Sequence, residues 1–363
     1  MNASRKKRSL PLRILRAAGA VLLCAVILLV GFVGFLSVTE YRPKARQTLD
    51  VLDNPSMRPK TGSQLTVVTW NIGYAALGDN ADFFMDGGEM VHTADKERIQ
   101  KNLDDIVSQL RSTQPDVVLL QEVDRKSARS CRVNAFSQIA DSLKGFGASF
   151  ANNFKVAFLP YPVPPIGKVD SGVATFSAYS VTDAERVQLP IPFSWPMRMA
   201  NLKRCLLVSR IPIEDSEHEL VLVNLHLEAY DDGEGKAAQT KMLADLLEAE
   251  AKKGNYVIAG GDFNQIFSTA DASAYPTEEG NWEAPVIDVG QYADGWQFLM
   301  DDSVPSCRSL YKPYVGADKQ SFQYYLLDGF IVSDNIDVLS FATVDLGFVS
   351  SDHNPVRMRI SLK

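Results

Sequence analysis

The sequence predicts an α/β fold preceded by one apolar helix. Three observations carry that expectation. Short apolar runs that read as buried strands are interspersed with segments of helical periodicity. Polar residues cluster where those runs end, the layout of an α/β domain whose site is assembled at one edge of its sheets. Ahead of them, residues Ala17 to Val38 are almost wholly apolar.

In chain order, residues 1–16 form a basic tail with Arg5, Lys6, Lys7, Arg8, Arg13 and Arg16. Residues 17–38, at roughly 1.5 Å per residue, span a bilayer core of about 30 Å. Arg42, Lys44 and Arg46 follow. The heavier basic flank comes first, so the tail is expected in the cytoplasm and the rest of the chain outside it. A cleaved signal peptide would have a shorter apolar region, roughly 7–15 residues, ending in small residues. Phe35-Leu36-Ser37-Val38-Thr39-Glu40 offers no such site, which favours an uncleaved transmembrane anchor. Residues 39–63, rich in Pro, Lys and Arg and without periodicity, read as a linker.

The remainder, 64–363, reads as one domain. Leu65 to Trp70 is a strand ending in Asn71. Residues 78–92 are polar and Gly/Asp-rich, a surface loop. Asp95 to Arg111 carries Ile99, Leu103, Ile106, Val107 and Leu110 at helical spacing. Asp116 to Leu120 is a strand apolar enough to be buried on both faces, and it delivers Gln121-Glu122. Val133 to Leu143 is a second helix. Residues 158–169 are a proline-rich loop before the strand Gly172–Phe176. The loop Leu189–Met199, with Phe193 and Trp195 among prolines, is suited to packing over a sheet edge, to lining a substrate site or to touching a membrane. Leu206–Ser209 and Leu220–His226 are strands, Lys236–Lys252 is a helix, and Tyr256–Gly261 runs into Asp262. Residues 268–316 read as a long loop-like insertion. Leu326–Val332 and Val356–Ile360 are the last strands.

Residues 1–46 hold nine Lys/Arg and one Asp/Glu out of 37 and 44 in the chain, leaving 28 and 43 in the rest, a net of −15. A domain this acidic has no bulk attraction to nucleic acid or anionic lipid. Cys131, Cys205 and Cys307 lack any CxxC partner, which argues against structural zinc and reads as unpaired core thiols.

The chemistry sits in five patches: Thr69-Trp70-Asn71-Ile72, Gln121-Glu122-Val123, Asn224-Leu225-His226-Leu227, Gly261-Asp262-Phe263-Asn264 and Ser351-Asp352-His353-Asn354. Hard oxygen donors with two histidines are what metal-assisted attack of water on phosphorus needs. Taken alone, Glu122 reads as a turn cap, His226 as a satisfied core histidine, and Gly-Gly-Asp-Phe-Asn as a turn. Gly260 and Gly261 would let a ligand approach the backbone beside Asp262. Asn264 would project with Asp262 if the strand continues. His92 and His218 lie in polar loops. Asp352 and His353, being adjacent, suit opposite tasks, one toward a metal and one toward a phosphate. Asp328, in an otherwise apolar run, is a natural partner for His353.

In this order the patches resemble the endonuclease/exonuclease/phosphatase superfamily, over residues 65–360. The resemblance implies a four-layered α/β sandwich, two mixed sheets face to face flanked by helices. It implies Mg²⁺, with Mn²⁺ as the substitute, held by Glu122 with Asn71 and Asp352. It implies that Asp262 and Asn264 position or deprotonate the attacking water and hold the phosphate, and that Asp328 pairs with His353. His226 is similar to the branch with deoxyribonuclease I, the sphingomyelinases and the inositol phosphatases. Asp124 stands where deoxyribonuclease I has an arginine, with Arg125 and Arg129 out of that register. No carboxylate to orient His226 is evident.

The expected activity is hydrolysis of a phosphomono- or phosphodiester, in a phospholipid headgroup or a small organic phosphate, at the membrane. A membrane-anchored extracytoplasmic endonuclease is the alternative, which the charge disfavours. A non-catalytic binding module ranks last, because every chemical position is filled. Substrate choice is expected in loops 76–93, 156–170, 187–200 and 268–316.

Overall fold

The computed structural model describes residues 10–231 and 233–363. The basic residues Arg5 to Arg8 of the expected tail lie outside them. Helix α1, Leu10–Thr39, is longer than the expected 17–38 and takes in Arg13 and Arg16. It is long and apolar enough to cross a membrane, and most of its surface is exposed. The strands in chain order are β1 Arg46–Thr48, β2 Gln64–Asn71, β3 Val117–Asp124, β4 Gly147–Leu159, β5 Gly167–Ser177, β6 Asp183–Gln188, β7 Cys205–Pro212, β8 Glu219–His226 and β9 Tyr256–Asp262. They continue with β10 Ile266–Phe267, β11 Val286–Ile287, β12 Trp296–Leu299, β13 Cys307–Arg308, β14 Tyr324–Tyr325, β15 Asp328–Ser333, β16 Ile336–Thr343 and β17 Val356–Leu362. The remaining helices are α2 Lys96–Ser112, α3 Ala135–Ser142 and α4 Glu234–Ala251.

Two mixed sheets result, ordered β1-β6-β7-β8-β9-β15-β12 and β16-β17-β2-β3-β5-β4. Their layering follows from side-chain alternation. In β2, Leu65 and Val67 join Leu220, Leu222, Ile258 and Phe330 in the core between the sheets. Val68 and Trp70 point the other way, onto Ile99, Leu103 and Ile106 of α2 and Ile139 of α3. Val221, Val223 and Val257 likewise leave the second sheet's outer face to meet Leu243 and Leu247 of α4. Each central strand is buried on both faces, which is why its sequence is continuously apolar. The result is the four-layered α/β sandwich.

Several expectations need correction. Residues 39–63 are not a free linker: β1 pairs antiparallel with β6, and Leu52 bridges to Ala148. The insertion 268–316 is not structureless, because β12 closes one edge of the seven-stranded sheet against β15. β9 stops at Asp262, so Asn264 does not project beside it; Asn264 turns at φ +50°. Gly260 and Gly261 serve packing, not a ligand. A Cβ on Gly260 would lie 2.6 Å from the Phe330 ring, and one on Gly261 2.0 Å from the Leu225 carbonyl oxygen. The four cysteines are unpaired, with Cys205 and Cys307 buried but Cys131 exposed. His92 and His218 are exposed.

Candidate active site

The inner face places the chemistry. Alternation that puts Leu220, Leu222 and Ile258 between the sheets carries the same face on to Asn224, His226 and Asp262. In the ladders, His226 stands opposite Asp262, and Asp262 opposite Asp328. One row across the sheet end thus holds an imidazole and two carboxylates. On the facing sheet, β2 and β3 bring Asn71 opposite Gln121. Two amides cross the gap. Gln121 Nε2 donates to Asn224 Oδ1 at 2.8 Å, and Asn71 Nδ2 donates to Asp262 Oδ2 at 3.0 Å.

Glu122 reaches the site by a break in regularity. The β3–β5 register shifts between Leu120 and Val123, and Glu122 sits at φ +53°. Such a bulge re-aims one side chain at a cost in backbone strain. Glu122 Oε1 lies 3.4 Å from Asn71 Nδ2. Gly73, Tyr74 and Ala75 are also left-handed, at φ +48°, +42° and +58°. At Gly73 a side chain is excluded, since a Cβ would come within 2.8 Å of Asp352 Oδ1.

His353 and Asp352 lie on the bend before β17, and they do not face apart as expected: ligand atoms of the two come within 4.8 Å of one another. His353 Nδ1 bonds Asp328 Oδ2 at 2.7 Å, and its Nε2 stands 3.5 Å from Asn71 Nδ2 and 3.8 Å from Asp262 Oδ2. The Trp70 indole donates to the His353 carbonyl at 2.8 Å and fixes that turn. His226 Nε2 lies 3.4 Å from Asp262 Oδ2, while its Nδ1 is buried without a partner among the described residues. Asn264 donates its backbone N–H to Asp262 Oδ1 at 2.9 Å and its side-chain amide to the Leu227 carbonyl at 2.9 Å. It therefore braces Asp262 instead of standing beside it.

Electrostatics separates the two histidines. Burial, with Arg204 and His353 nearby, holds His226 well below the ordinary value, so it is neutral. Burial opposes charge on His353 as well, but Cys307, Asp328 and Asp262 raise it well above that value. Burial pushes the Cys307 thiol up to about 12, so it is neutral near pH 7 and the carboxylates supply the shift. Burial also raises Asp262 to about 6 and Asp352 to about 7; Asp328 adds to the first and Glu122 to the second. Desolvated carboxylates facing one another are a place where a cation is stabilising.

Two groups of side chains are close enough to share a cation, and their carboxylates are the hard donors among them. Ligand atoms of Asp262, Asp328 and His353 lie within 4.8 Å of one another, as do those of Cys307, Asp352 and His353. Glu122 belongs to neither group, but its charge reaches Asp352. Asn71 turns its NH₂ toward the centre, and its Oδ1 accepts from the Gly73 N–H at 3.1 Å.

The sequence places Arg129 out of register, with no sign that it reaches the site. Its guanidinium stacks 3.7 Å over the Tyr74 ring, pairs with Asp124 at 3.0 Å and stands 3.9 Å from Glu122. Asp86 and Tyr230, joined at 2.9 Å, stand at the rim; burial raises both pKa values, with Asp86 and then Glu122 adding to the rise at Tyr230 and Glu122 to that at Asp86 against the Tyr230 hydrogen bond.

The model of the Endonuclease/Exonuclease/phosphatase family matches residues 68–353. The chain belongs to that family. Phosphoester hydrolysis is accordingly its chemistry, and it is an enzyme. Among solved structures, it is similar to an endonuclease/exonuclease/phosphatase from Beutenbergia cavernae, at 18% identity and TM-score 0.54, covering 82% of this chain and 72% of that one. It is similar to ANGEL2, described as a 2′,3′-cyclic phosphatase in complex with adenosine-2′,3′-vanadate, at 15% identity and TM-score 0.54, covering 88% and 99%. A Bacteroides vulgatus family member gives 14% identity and TM-score 0.50, covering 83% and 100%. These likenesses establish the fold. No curated protein sequence matches the chain.

Proposed function

We propose that this family member is a divalent-metal-dependent phosphoesterase, anchored by α1, that hydrolyses a phosphomono- or phosphodiester of a phospholipid headgroup or small organic phosphate. The observation that carries it is the row His226–Asp262–Asp328 with His353 closing onto Asp328 at 2.7 Å. Glu122 and Asp352, with Asn71 beside them, would hold Mg²⁺ or Mn²⁺. Bound there, the cation would act as a Lewis acid on the phosphoryl group.

The chain's own residues do the rest. Cationic His353, oriented by Asp328, neutralises charge that develops on the phosphoryl oxygens. Asp262, with a pKa of about 6, is ionised near pH 7 and takes the proton of the attacking water. Asn264 and Asn71 hold the Asp262 carboxylate in place. His226, neutral, offers an Nε2–H to Asp262 or to the phosphate. Water attacks in line, the phosphorus–ester bond breaks, the leaving oxygen takes a proton from bulk water, and no covalent intermediate forms.

The alternative is an extracytoplasmic endonuclease or nucleotide phosphoesterase, which the nucleoside vanadate of ANGEL2 supports as an analogy. The −15 charge of residues 47–363 weighs against it. The test is turnover by the full chain in vesicles, with Mg²⁺ and then a chelator. The substrates are choline phospholipids, inositol phosphates, plasmid DNA and bis(4-nitrophenyl) phosphate, with His353→Ala as control. Metal-dependent turnover of lipid or small esters, lost in the variant, supports the proposal. DNA cleavage alone replaces it with the nuclease.

A further inference from the structure

Two loops flank the last turns of α1, and both expose apolar side chains. In the loop 159–166 and the end of β4, Phe158, Tyr161 and Val163 face solvent, Val163 at 89% of its full exposure. In the loop 189–200, Trp195 and Met197 do the same. Segments 156–169 and 189–200 contain no Asp or Glu, in a domain that is otherwise strongly acidic.

Contacts tie both loops to the helix. The Phe158 ring packs edge-on against Phe32 of α1, with centroids 6.3 Å apart. Ser37 lies 3.0 Å from the Met199 sulfur, and the Trp195 indole 3.5 Å from the Ser37 hydroxyl. The side chain of Glu40, just past the helix, is buried and accepts from Arg198 at 2.9 Å and from Arg42 at 2.9 Å. Lys203 stands 3.6 Å away. The domain is thus fixed against the helix end.

The level of these contacts identifies the partner. Phe32 lies seven residues before Thr39, the last residue of α1, about 10 Å along the helix axis. Any bilayer that houses the apolar stretch of α1 therefore reaches the loops as well. Tryptophan and tyrosine among prolines, without acidic residues, are the side chains that settle at a lipid–water boundary.

The patch also leads to the site. Tyr161 packs against Phe84, with centroids 6.0 Å apart. Two residues on, Asp86 bonds Tyr230 at the rim of the site. We infer that loops 159–166 and 189–200 form a lipid-docking platform that seats the domain on the bilayer crossed by α1, with the mouth of the site beside the lipid headgroups. This rests on the membrane reading of α1 and narrows the substrate to a phosphoester borne by a lipid.

The test uses the full chain in phosphatidylcholine vesicles and its tryptophan fluorescence. Of the four tryptophans, Trp70 is in β2, Trp282 packs on Tyr325 and Trp296 is in β12, so Trp195 alone lies in the platform. Replacing the lipid by its brominated-chain form is expected to quench the protein, with W195F losing at least half of that quenching. V163W is expected to gain quenching. Equal quenching in wild type and W195F, with none gained by V163W, overturns the platform. The second arm compares V163D with wild type on vesicle-borne and water-soluble phosphodiesters. A fall of tenfold or more on the vesicle substrate alone is expected; an equal effect on both overturns the substrate assignment. Quenching needs no turnover, so an inert but quenched protein would sink the phosphoesterase reading and leave the platform standing.

Discussion

At the end of the seven-stranded sheet, His226, Asp262 and Asp328 stand opposite one another in unbroken ladders. At the end of the six-stranded sheet, Glu122 leaves its ladder through a bulge, and Gly73 to Ala75 run left-handed beside it. The regular end places groups that share protons, because ladder partners on one face lie within reach of each other. The irregular end brings together side chains from a strand, a turn and a distant loop, and under the proposed function these would hold the cation. On that reading proton handling is built on register, and cation binding on strain that the surrounding core holds in place.

The comparison breaks first at His353. His353→Ala is expected to lower kcat by about 10²–10⁴, the usual share of a positioned proton-handling group. Asp328→Asn should cost about 10–100-fold and move the pH profile, since it acts through the ring it orients. If either variant instead raised the metal requirement and left kcat unchanged, the two sheet ends would have exchanged roles.

Glu122→Gln addresses the other end. It should weaken Mg²⁺ binding by about 10–100-fold, read by metal titration of turnover. Unchanged Mg²⁺-dependent turnover would remove Glu122 from the cation site.

The third expectation concerns pH without metal. The raised values, about 6 for Asp262 and about 7 for Asp352, mean that the folded chain keeps protons the unfolded chain has released above about pH 4. Stability should therefore fall as pH rises from about 4 to 7. His353 adds to the fall above about 6.5, because its raised value is lost as pH climbs through it. His226 acts oppositely, since only the unfolded chain protonates it below about 6.5. Urea titrations at pH 5 and 7 should show the decline in chelator and its reversal in Mg²⁺. A rise in chelator would contradict the charge crowding.

The smallest effect is expected at the strained turn. Gly73→Ala puts a Cβ at φ +48° and against Asp352, costing about 1–2 kcal/mol of stability. Lost activity without lost stability would show that Asp352 moves instead of the turn.

Much of this was legible in the sequence, for a physical reason. Strands β2, β3, β8 and β9 are buried on both faces and cannot hide an apolar run, and their last residues are the polar patches. Strand β4 was hidden because Asn152, Asn153 and Lys155 interrupt its pattern. Strand β6, Asp-Ala-Glu-Arg-Val-Gln, reads as solvated, and β16 is an edge with exposed positions. Asn264 was misplaced because spacing along a strand says nothing about where the strand stops. Arg129 over Tyr74 joins residues 55 apart through a left-handed turn, which no local pattern announces.

Strand β1 has one more consequence. It covers the outer edge of β6, so the seven-stranded sheet ends on three residues that sit just beyond the helix. A protease cutting between Thr39 and Arg46 would shed a domain with that edge still covered. A cut after Thr48 would instead uncover the backbone donors and acceptors of β6, an adhesive border that invites pairing between copies. If α1 anchors the chain, the place of severance, more than the severance itself, would set whether a released domain stays in solution or clumps.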